Sequence, residues 1–420
     1  MLFGKKERET NDAVTDTETE EINVTEEELD AVLPENPYYA KIATAYSAVR
    51  YILLVFLVVF IAAMAIRNSE SITYDNLMFL MKDLGSVAEA SGTDFDTINY
   101  NPDTTRSYSG FRRNLAVASS NGLTIYASDG KPIFEGDARY SAPMIETSSR
   151  YLLLYDFGEN EFSLYNSFAR IYTETLDYEV LCADVSESGM FSVVTRTKEY
   201  NSAVLIYTKN CKLKSRFLSE DRVVAVSLDD DGDRACVLAF DALDASFRTK
   251  ITILRPGDDD AVAQLTLSDA FPLACNYTEN GNLTVLCDKA LYFYDGDGNL
   301  INSFAFGETP EAAKLCANGT VISVSKNAVT TESVLTVLDQ SGSVVYDGKC
   351  AGKAVSVGLS DSYLFSLAGN VITRTNIKTS ETATLETTGS GKDMIVYTDK
   401  DVLVCSASKA EYYEFDKEER

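Results

Sequence analysis

The sequence predicts an all-β fold, a β-propeller built from repeated four-stranded blades, and three observations support this prediction. In Asn280–Phe304, apolar and polar residues alternate through three short strands. Asn280-Gly281 and Asp295–Gly298 punctuate this unit with residues that tolerate positive φ, as tight hairpins require. Strands that end in an aromatic or aliphatic residue before a turn then recur every 36–47 residues, close to the period of propeller blades.

Eight strands carry this repeat: Leu123–Tyr126, Phe162–Tyr165, Val204–Tyr207, Ile251–Leu254, the strand ending at Tyr294, Leu335–Leu338, Val371–Arg374 and Ala410–Tyr413. The predicted blades begin near Thr105, Ala142, Val180, Val223, Pro272, Ala312, Lys353 and Asp393. The eighth unit supplies only three strands, so we expect Asp96–Tyr100 to provide its fourth strand and close the ring. Residues 96–416 are thus predicted to form eight blades, or seven if the long fourth unit is misinterpreted.

Composition disfavours several classes of function. The chain has 420 residues, a formal net charge of −27, and neither histidine nor tryptophan. Phosphate binding needs clustered Lys and Arg, so nucleic acid is not an expected partner. Without histidine the chain lacks the most frequent general base and metal ligand. We therefore expect no cofactor and assign no catalytic, cofactor-binding or metal-binding residue.

The N-terminal region is predicted to be a tail followed by a membrane span. The first 36 residues are rich in Thr, Glu and Asp, so residues 1–45 are interpreted as an acidic, disordered tail. Tyr51–Ile66 contains 16 residues without a charge, and Arg50 and Arg67 bracket it. Because this run is short for a hydrocarbon core of about 30 Å, the predicted transmembrane helix is extended to residues 46–67.

Orientation follows from the charges around the span. A cleavable signal ending at Ala63–Ala65 is the alternative, but the run starts late in the chain for a signal peptide. Lys41 and Arg50 precede the span, whereas only Arg67 follows it closely. The positive-inside rule then predicts a single-pass protein of the cell membrane with a cytoplasmic tail and an extracytoplasmic propeller. Residues 68–95 are predicted to form a juxtamembrane helical stalk, with apolar residues on one face.

The whole pattern resembles a Gram-positive family of single-pass, membrane-anchored β-propeller proteins. The resemblance rests on the repeat, the acidic tail and the single span, and it covers most of residues 40–415. The sequence departs from WD40 propellers because it has no Trp-Asp dipeptide, and from quinoprotein propellers because it lacks their tryptophan docking motif. The resemblance implies a fold and a membrane anchor, without an activity.

Two residue types could carry metal or redox chemistry. Eight cysteines lie in the predicted propeller, mostly in apolar strands where cysteine acts as a small hydrophobe. Cys275 and Cys287, on adjacent strands of one blade, are the best candidates for a disulfide. Asp229–Asp233 and Asp295–Asn299 resemble calcium loops, but both lack the EF-hand glycine and glutamate, and hairpin turns explain them.

Function is predicted from the surface that a propeller presents. Acidic candidates for the central funnel include Asp184, Asp229 and Glu279, and their spacing does not distinguish them from solvated turns. We expect a non-catalytic binding, scaffold or sensor protein of the cell envelope that takes a protein or cell-wall ligand. The alternative is a carboxylate-dependent glycosidase or lyase that acts on wall polysaccharide in the funnel.

Overall fold

The computed structural model describes residues 37–67, 97–100, 106–127, 130–166, 169–243, 246–306, 310–325 and 332–416. The chain divides into two compact units, residues 1–81 and 82–420. The predicted tail up to residue 36 and the predicted stalk at residues 68–95 lie outside the described residues.

The described part of the first unit is a long helix, α1, which spans Pro37–Arg67 in 31 residues. It begins at Pro37 rather than at residue 46, so the part of the predicted tail that follows Pro37 is helical. Proline is tolerated in the first turn of a helix, where its missing N–H leaves no bond unmade. The side chains from Tyr51 to Phe60 are all exposed, by 53–70%. Within the residues that the structure describes, no helix has the combined length and apolar character that crossing a membrane requires.

The second unit is an eight-bladed β-propeller, and every blade is a four-stranded antiparallel sheet. The first four blades are β2–β5 (Arg106–Phe111, Asn114–Ser119, Gly122–Tyr126, Pro132–Asp137), β6–β9 (Pro143–Thr147, Leu152–Asp156, Glu161–Tyr165, Arg170–Thr175), β10–β13 (Val180–Val185, Phe191–Thr195, Ser202–Tyr207, Leu213–Ser219) and β14–β17 (Arg222–Leu228, Ala235–Leu243, Ser246–Leu254, Ala261–Ser268).

The remaining blades are β18–β21 (Pro272–Tyr277, Leu283–Cys287, Ala290–Tyr294, Leu300–Ala305), β22–β25 (Ala312–Cys316, Gly319–Ser325, Glu332–Leu338, Val344–Ala351), β26–β29 (Ala354–Leu359, Tyr363–Ala368, Val371–Asn376, Thr382–Glu386), and β30–β32 with β1 (Asp393–Val396, Asp401–Cys405, Lys409–Glu414, Ile98–Asn99). Eight blades are therefore confirmed. Each observed first strand begins within one residue of its predicted start.

The ring closes by pairing the two ends of the propeller, as predicted. Strand β1 is the outermost strand of the eighth blade, where Ile98 pairs with Ala410 and Asn99 with Lys409. Tyr100 extends the pairing, because its N–H donates to the carbonyl of Ser408 over 3.0 Å. Its hydroxyl oxygen lies 2.8 Å from the carbonyl oxygens of both Ser406 and Lys409, and its single hydrogen is donated to one of them at a time.

Apolar side chains fill the seams between neighbouring blades. Between the second and third blades, Phe191 and Tyr207 stack with ring centroids 4.8 Å apart, and Phe162 packs against both. At the seventh and eighth blades, the buried Arg374 makes two bonds to Asp416, of 2.9 and 3.0 Å. The Arg374 guanidinium also lies 4.6–4.7 Å from the ring centroids of Tyr363 and Phe415. Packing between sheets, rather than within one sheet, thus forms the core.

The hairpin turns agree with their predicted chemistry. Gly298 has a φ of 89°, which a residue with a side chain adopts only at a cost. The Asp295 carboxylate accepts bonds from the N–H groups of Asp297 and Asn299, over 2.9 and 2.8 Å. The loop thus uses this carboxylate to hold its own backbone.

The predicted disulfide candidates do not form a bridge. Cys275 on β18 pairs in register with Val285, whereas Cys287 on β19 pairs with Pro272. The two thiols therefore lie at different levels of the hairpin, and both cysteines are free. The prediction that Cys275 and Cys287 are disulfide candidates was wrong, because adjacent strands do not by themselves place two cysteines opposite each other.

Ring closure gives the first testable prediction. Ile98 is fully buried against Leu115 and Leu403, so Ile98→Ala should lower the free energy of unfolding by about 2–4 kcal/mol. Ile133→Ala is the matched control, since Ile133 is 50% exposed on β5 and should change stability by less than about 0.5 kcal/mol. Denaturant unfolding of the purified full-length chain measures both. Equal effects of the two substitutions would mean that β1 does not stabilise the ring.

Candidate functional site

The first strands of the eight blades surround the central channel, because each packs against the first strands of both neighbouring blades. We place one residue of each first strand at a common level, from its pairing with the second strand and from hydrogen bonds that join neighbouring blades. Glu146 pairs with Leu153 at this level, and Lys314 pairs with Val321. We call this ring of residues the belt: Ser109, Glu146, Asp184, Ser227, Asn276, Lys314, Gly358 and Ile395.

Several belt side chains bond to the backbone or side chains around them. Asp184 Oδ2 accepts a bond from the Leu228 N–H over 2.6 Å, and Ser227 Oγ accepts one from the Tyr277 N–H over 3.3 Å. Each of these bonds joins one blade to the next. Ser109 shares a bond of 2.7 Å with Thr147. Asn276 donates from Nδ2 to the Tyr277 carbonyl over 2.9 Å.

Glu146 and Lys314 differ from the other polar belt residues. Among the described residues, neither makes a hydrogen bond or an ion pair. Glu146 lies on the second blade and Lys314 on the sixth, so they stand on opposite sides of an eight-membered ring. Lys314 is exposed, whereas Glu146 is half-buried. These two groups are therefore the ones at the belt that remain available to a ligand.

The belt changes the acidity of its carboxyl groups. Burial and, to a smaller extent, the nearby Asp184 raise the pKa of Glu146, and Lys314 partly offsets both effects, so that the pKa lies at about 8. Burial also raises the pKa of Asp184 to about 6, while the N–H groups of Leu228 and Val185 oppose this rise. At neutral pH Glu146 is consequently protonated and Asp184 is ionised. Although solvent in the channel reaches part of Glu146, protein atoms surround most of it.

Two further ionisable groups lie near Glu146 and Asp184. Burial raises the pKa of the Cys182 thiol, and Glu146 and Asp184 add to the effect. Burial and Glu146 likewise raise the pKa of the Tyr155 hydroxyl. Both groups therefore stay neutral at physiological pH, and Cys182 is not a reactive thiolate.

One end of the channel carries exposed aliphatic residues near the starts of the first strands. In four blades the first strand has a bulge, a residue without a partner on the second strand. This residue is aliphatic in each case: Leu181, Val224, Leu273 and Val355. Met144 lies near this level on the second blade. Met144, Leu273 and Val355 are exposed by 40%, 42% and 48%. We call these five residues the collar; a bulge turns the side chains of Leu273 and Val355 out of the ladder, whereas Leu181 and Val224 are half-buried against neighbouring apolar clusters.

The acidic residues singled out in the sequence separate into two places. Asp184 lies in the belt, as expected for the funnel. Asp229 is in the β14–β15 turn, where its carboxylate accepts a bond from the Arg234 N–H over 3.0 Å. Glu279 is in the β18–β19 turn, and its N–H donates to the Ala317 carbonyl. The structure does not bring Asp229 and Glu279 to the belt.

Sequence reasoning missed Glu146 and Lys314. Both interrupt short strands, Pro143–Thr147 and Ala312–Cys316, that otherwise hold mostly apolar residues. A charged residue in the first strand of a blade was the available signal. Its meaning depends on aligning first strands from different blades, which requires the register of each hairpin.

A family comparison assigns the chain to a group. Residues 93–415 match the model of a family of unknown function, DUF5711. The chain belongs to this family. A comparison with curated proteins finds no match. The family match covers all eight blades and begins just before the closing strand β1.

Solved structures of other propellers are similar to the fold of this DUF5711 member. Sqt1 of Saccharomyces cerevisiae is 10% identical, with a TM-score of 0.58 over 76% of this chain and 98% of that one. Sqt1 of Chaetomium thermophilum, bound to the N-terminus of the ribosomal protein L10, is 10% identical with a TM-score of 0.56, over the same shares of the two chains. BamB of Moraxella catarrhalis is 12% identical, with a TM-score of 0.51 over 77% and 99%. At these identities the likeness concerns the propeller fold.

The raised pKa of Glu146 gives a prediction about stability and pH. Between about pH 5 and pH 8 the folded chain keeps a proton on Glu146 that the unfolded chain releases, so this residue lowers stability as pH rises. Glu146→Gln should raise the melting temperature at pH 8 by about 2–4 °C and change it little at pH 5. Glu386→Gln, an exposed site on β29, removes the same charge and controls for net repulsion. If the melting temperatures of the two variants change with pH in the same way, the raised pKa of Glu146 is contradicted.

Proposed function

We propose that this chain is a non-catalytic binding protein of the cell envelope, whose propeller binds a protein partner at the collar. The observation that carries the proposal is the exposure of Met144, Leu273 and Val355 around one end of the channel. These side chains stand on the second, fifth and seventh blades, so a partner that covers this end of the channel would contact all three.

Neighbouring features on the same side of the ring favour a protein over a small ligand. Strands β15 and β16 are nine residues long and form the longest hairpin among the described residues. This hairpin carries Phe247, which is 47% exposed and packs edge-on against Phe271 with centroids 5.1 Å apart. Aromatic anchors of this kind are typical of protein interfaces. Sqt1 of Chaetomium thermophilum, a propeller of similar fold, was solved with the terminus of a protein bound, so the fold is compatible with such a partner.

The envelope part of the proposal rests on helix α1. The exposed apolar run from Tyr51 to Phe60 covers about 15 Å of helix and is too short alone to cross the hydrocarbon core. The sequence stays uncharged to Ile66, and Arg50 and Arg67 can reach the two interfaces. We therefore infer a single-pass anchor, with a cytoplasmic N-terminus and an extracytoplasmic propeller that could also meet cell-wall ligands.

The collar can be tested with matched positions. A photo-crosslinking residue at Val355 should capture a defined protein in intact cells, whereas the same residue at Val344 on β25 should not, although both sites are 48% exposed. Leu273→Asp should abolish the crosslink at Val355 while the melting temperature stays within about 2 °C, because Leu273 is exposed in the free chain. The same bands at both positions, or a crosslink that survives Leu273→Asp, would exclude the collar as the binding surface.

Topology has its own test. A membrane-impermeant maleimide should label a cysteine placed at the exposed position Lys214 in intact cells. It should not label a cysteine placed at Thr10 unless the cells are permeabilised. Labelling at the Thr10 position alone would show that the orientation is the opposite of the one inferred. If neither position is labelled before permeabilisation, the propeller lies in the cytoplasm.

A glycosidase or lyase remains the second candidate, because Glu146 and Asp184 are a carboxyl pair with separated pKa values. A protonated acid beside an ionised carboxylate is the arrangement that glycoside hydrolysis uses. The bond from the Leu228 N–H to Asp184 occupies one oxygen of the ionised partner, which favours binding over catalysis. A turnover of wall polysaccharide that is lost in both Glu146→Gln and Asp184→Asn, with the fold retained, would establish the catalytic function instead.

A further inference from the structure

We propose that the belt binds a carboxylate group, which enters through the collar and is held between the Lys314 ammonium and the Glu146 carboxyl group. The belt side chains differ in how much of their hydrogen-bonding capacity the protein already uses. Asp184, Ser227, Asn276 and Ser109 already bond to the protein. Glu146 and Lys314 do not, within the described residues; they stand on opposite blades, and Lys314 is close enough for its charge to lower the pKa of Glu146.

The protonation states make both free groups hydrogen-bond donors. The Lys314 ammonium carries a positive charge and three N–H donors. At neutral pH the burial of Glu146 and the negative charge of Asp184 keep Glu146 protonated, so it offers an O–H. Two donors on opposite walls suit a group with two acceptor oxygens and one negative charge. A carboxylate meets this description.

The remaining charge at the belt narrows the ligand class. Asp184 is ionised above about pH 6 and lies near Glu146, where it would repel a second negative charge on the ligand. A phosphate dianion is therefore disfavoured relative to a carboxylate. A primary amine is disfavoured as well, because it would have to approach Lys314 and ionise Glu146.

The path to the belt suits a carboxylate on an apolar body. The collar and the belt lie about three residues apart along the first strands, which corresponds to roughly 10 Å. A peptide with an apolar side chain and a free C-terminus spans this distance. A small free carboxylate would satisfy the belt alone, so the two sources differ in whether they need the collar.

Calorimetric titration of the full-length chain in nanodiscs tests the proposal with N-acetyl-Leu-Ala, its C-terminal amide and acetate. The peptide acid should bind, and the amide should bind at least tenfold more weakly. Lys314→Met should weaken binding of the acid at least tenfold, whereas Lys214→Met, an exposed lysine on β13, should not. Equal affinity of acid and amide, or equal behaviour of the two lysine variants, would overturn the proposal.

The pH dependence adds a readout that a purely structural role of Glu146 would not produce. Binding should weaken as pH rises through about 8, because Glu146 loses the proton that it donates. Buffers of different ionisation enthalpy should show proton uptake at pH 8. Glu146→Gln keeps an N–H donor and should bind within about threefold of the wild type at pH 6.5, with the pH dependence abolished. An unchanged pH profile in Glu146→Gln would exclude Glu146 as a donor.

The source of the carboxylate is distinguished in the same experiment. If the natural ligand is a peptide terminus that contacts the collar, Leu273→Ala should weaken binding of the peptide acid and leave binding of acetate unchanged. If acetate binds as tightly as the peptide acid, the natural ligand of the belt is a small carboxylate. These titrations contain no partner protein, so their failure would leave the crosslinking result at Val355 intact, and the reverse also holds.

Discussion

The pairing of β1 with β32 is the constraint on which the rest of the propeller depends. An open ring would leave the eighth blade with an unpaired outer edge and two blades without a neighbour on one face. The chain places a cluster of tyrosines at this seam. Tyr397 donates to the Asn114 carbonyl over 2.9 Å, and Tyr412 donates to the Arg113 carbonyl over 3.2 Å. These bonds tie the last blade to the first beside the cluster that buries Ile98 of β1.

Closure also determines what the channel can do. Eight first strands hold their belt residues at one level only while every seam is packed, so the opposition of Glu146 and Lys314 is a property of the closed ring. The same packing removes water from around Glu146 and raises its pKa. Stability of the ring and chemistry of the belt are therefore linked, and a variant that loosens the seam should shift the pKa of Glu146 toward its ordinary value.

The sequence predicted the blades well because turns are local. Starts near Ala142 and Lys353 were placed within one residue of Pro143 and Ala354, since glycine and aspartate mark the hairpins around them. The belt could not be predicted in the same way. Glu146 and Lys314 lie far apart in the chain, and their meeting depends on blade number and on strand register. The bulge that exposes Leu273 is likewise invisible, because an extra residue in a strand does not change its apolar composition.

Closure and the proposed binding use different blades of the ring. At the seventh, eighth and first blades, glycine replaces a larger residue where space is needed: a Cβ at Gly110 would lie 2.8 Å from Ile395, and one at Gly358 would lie 2.5 Å from Val396. Arg374 donates two hydrogen bonds to Asp416 in the same sector. Polar belt residues with unused bonding capacity are found instead on the second and sixth blades. These two blades border the closure sector on either side, so a ligand held between them would span the channel.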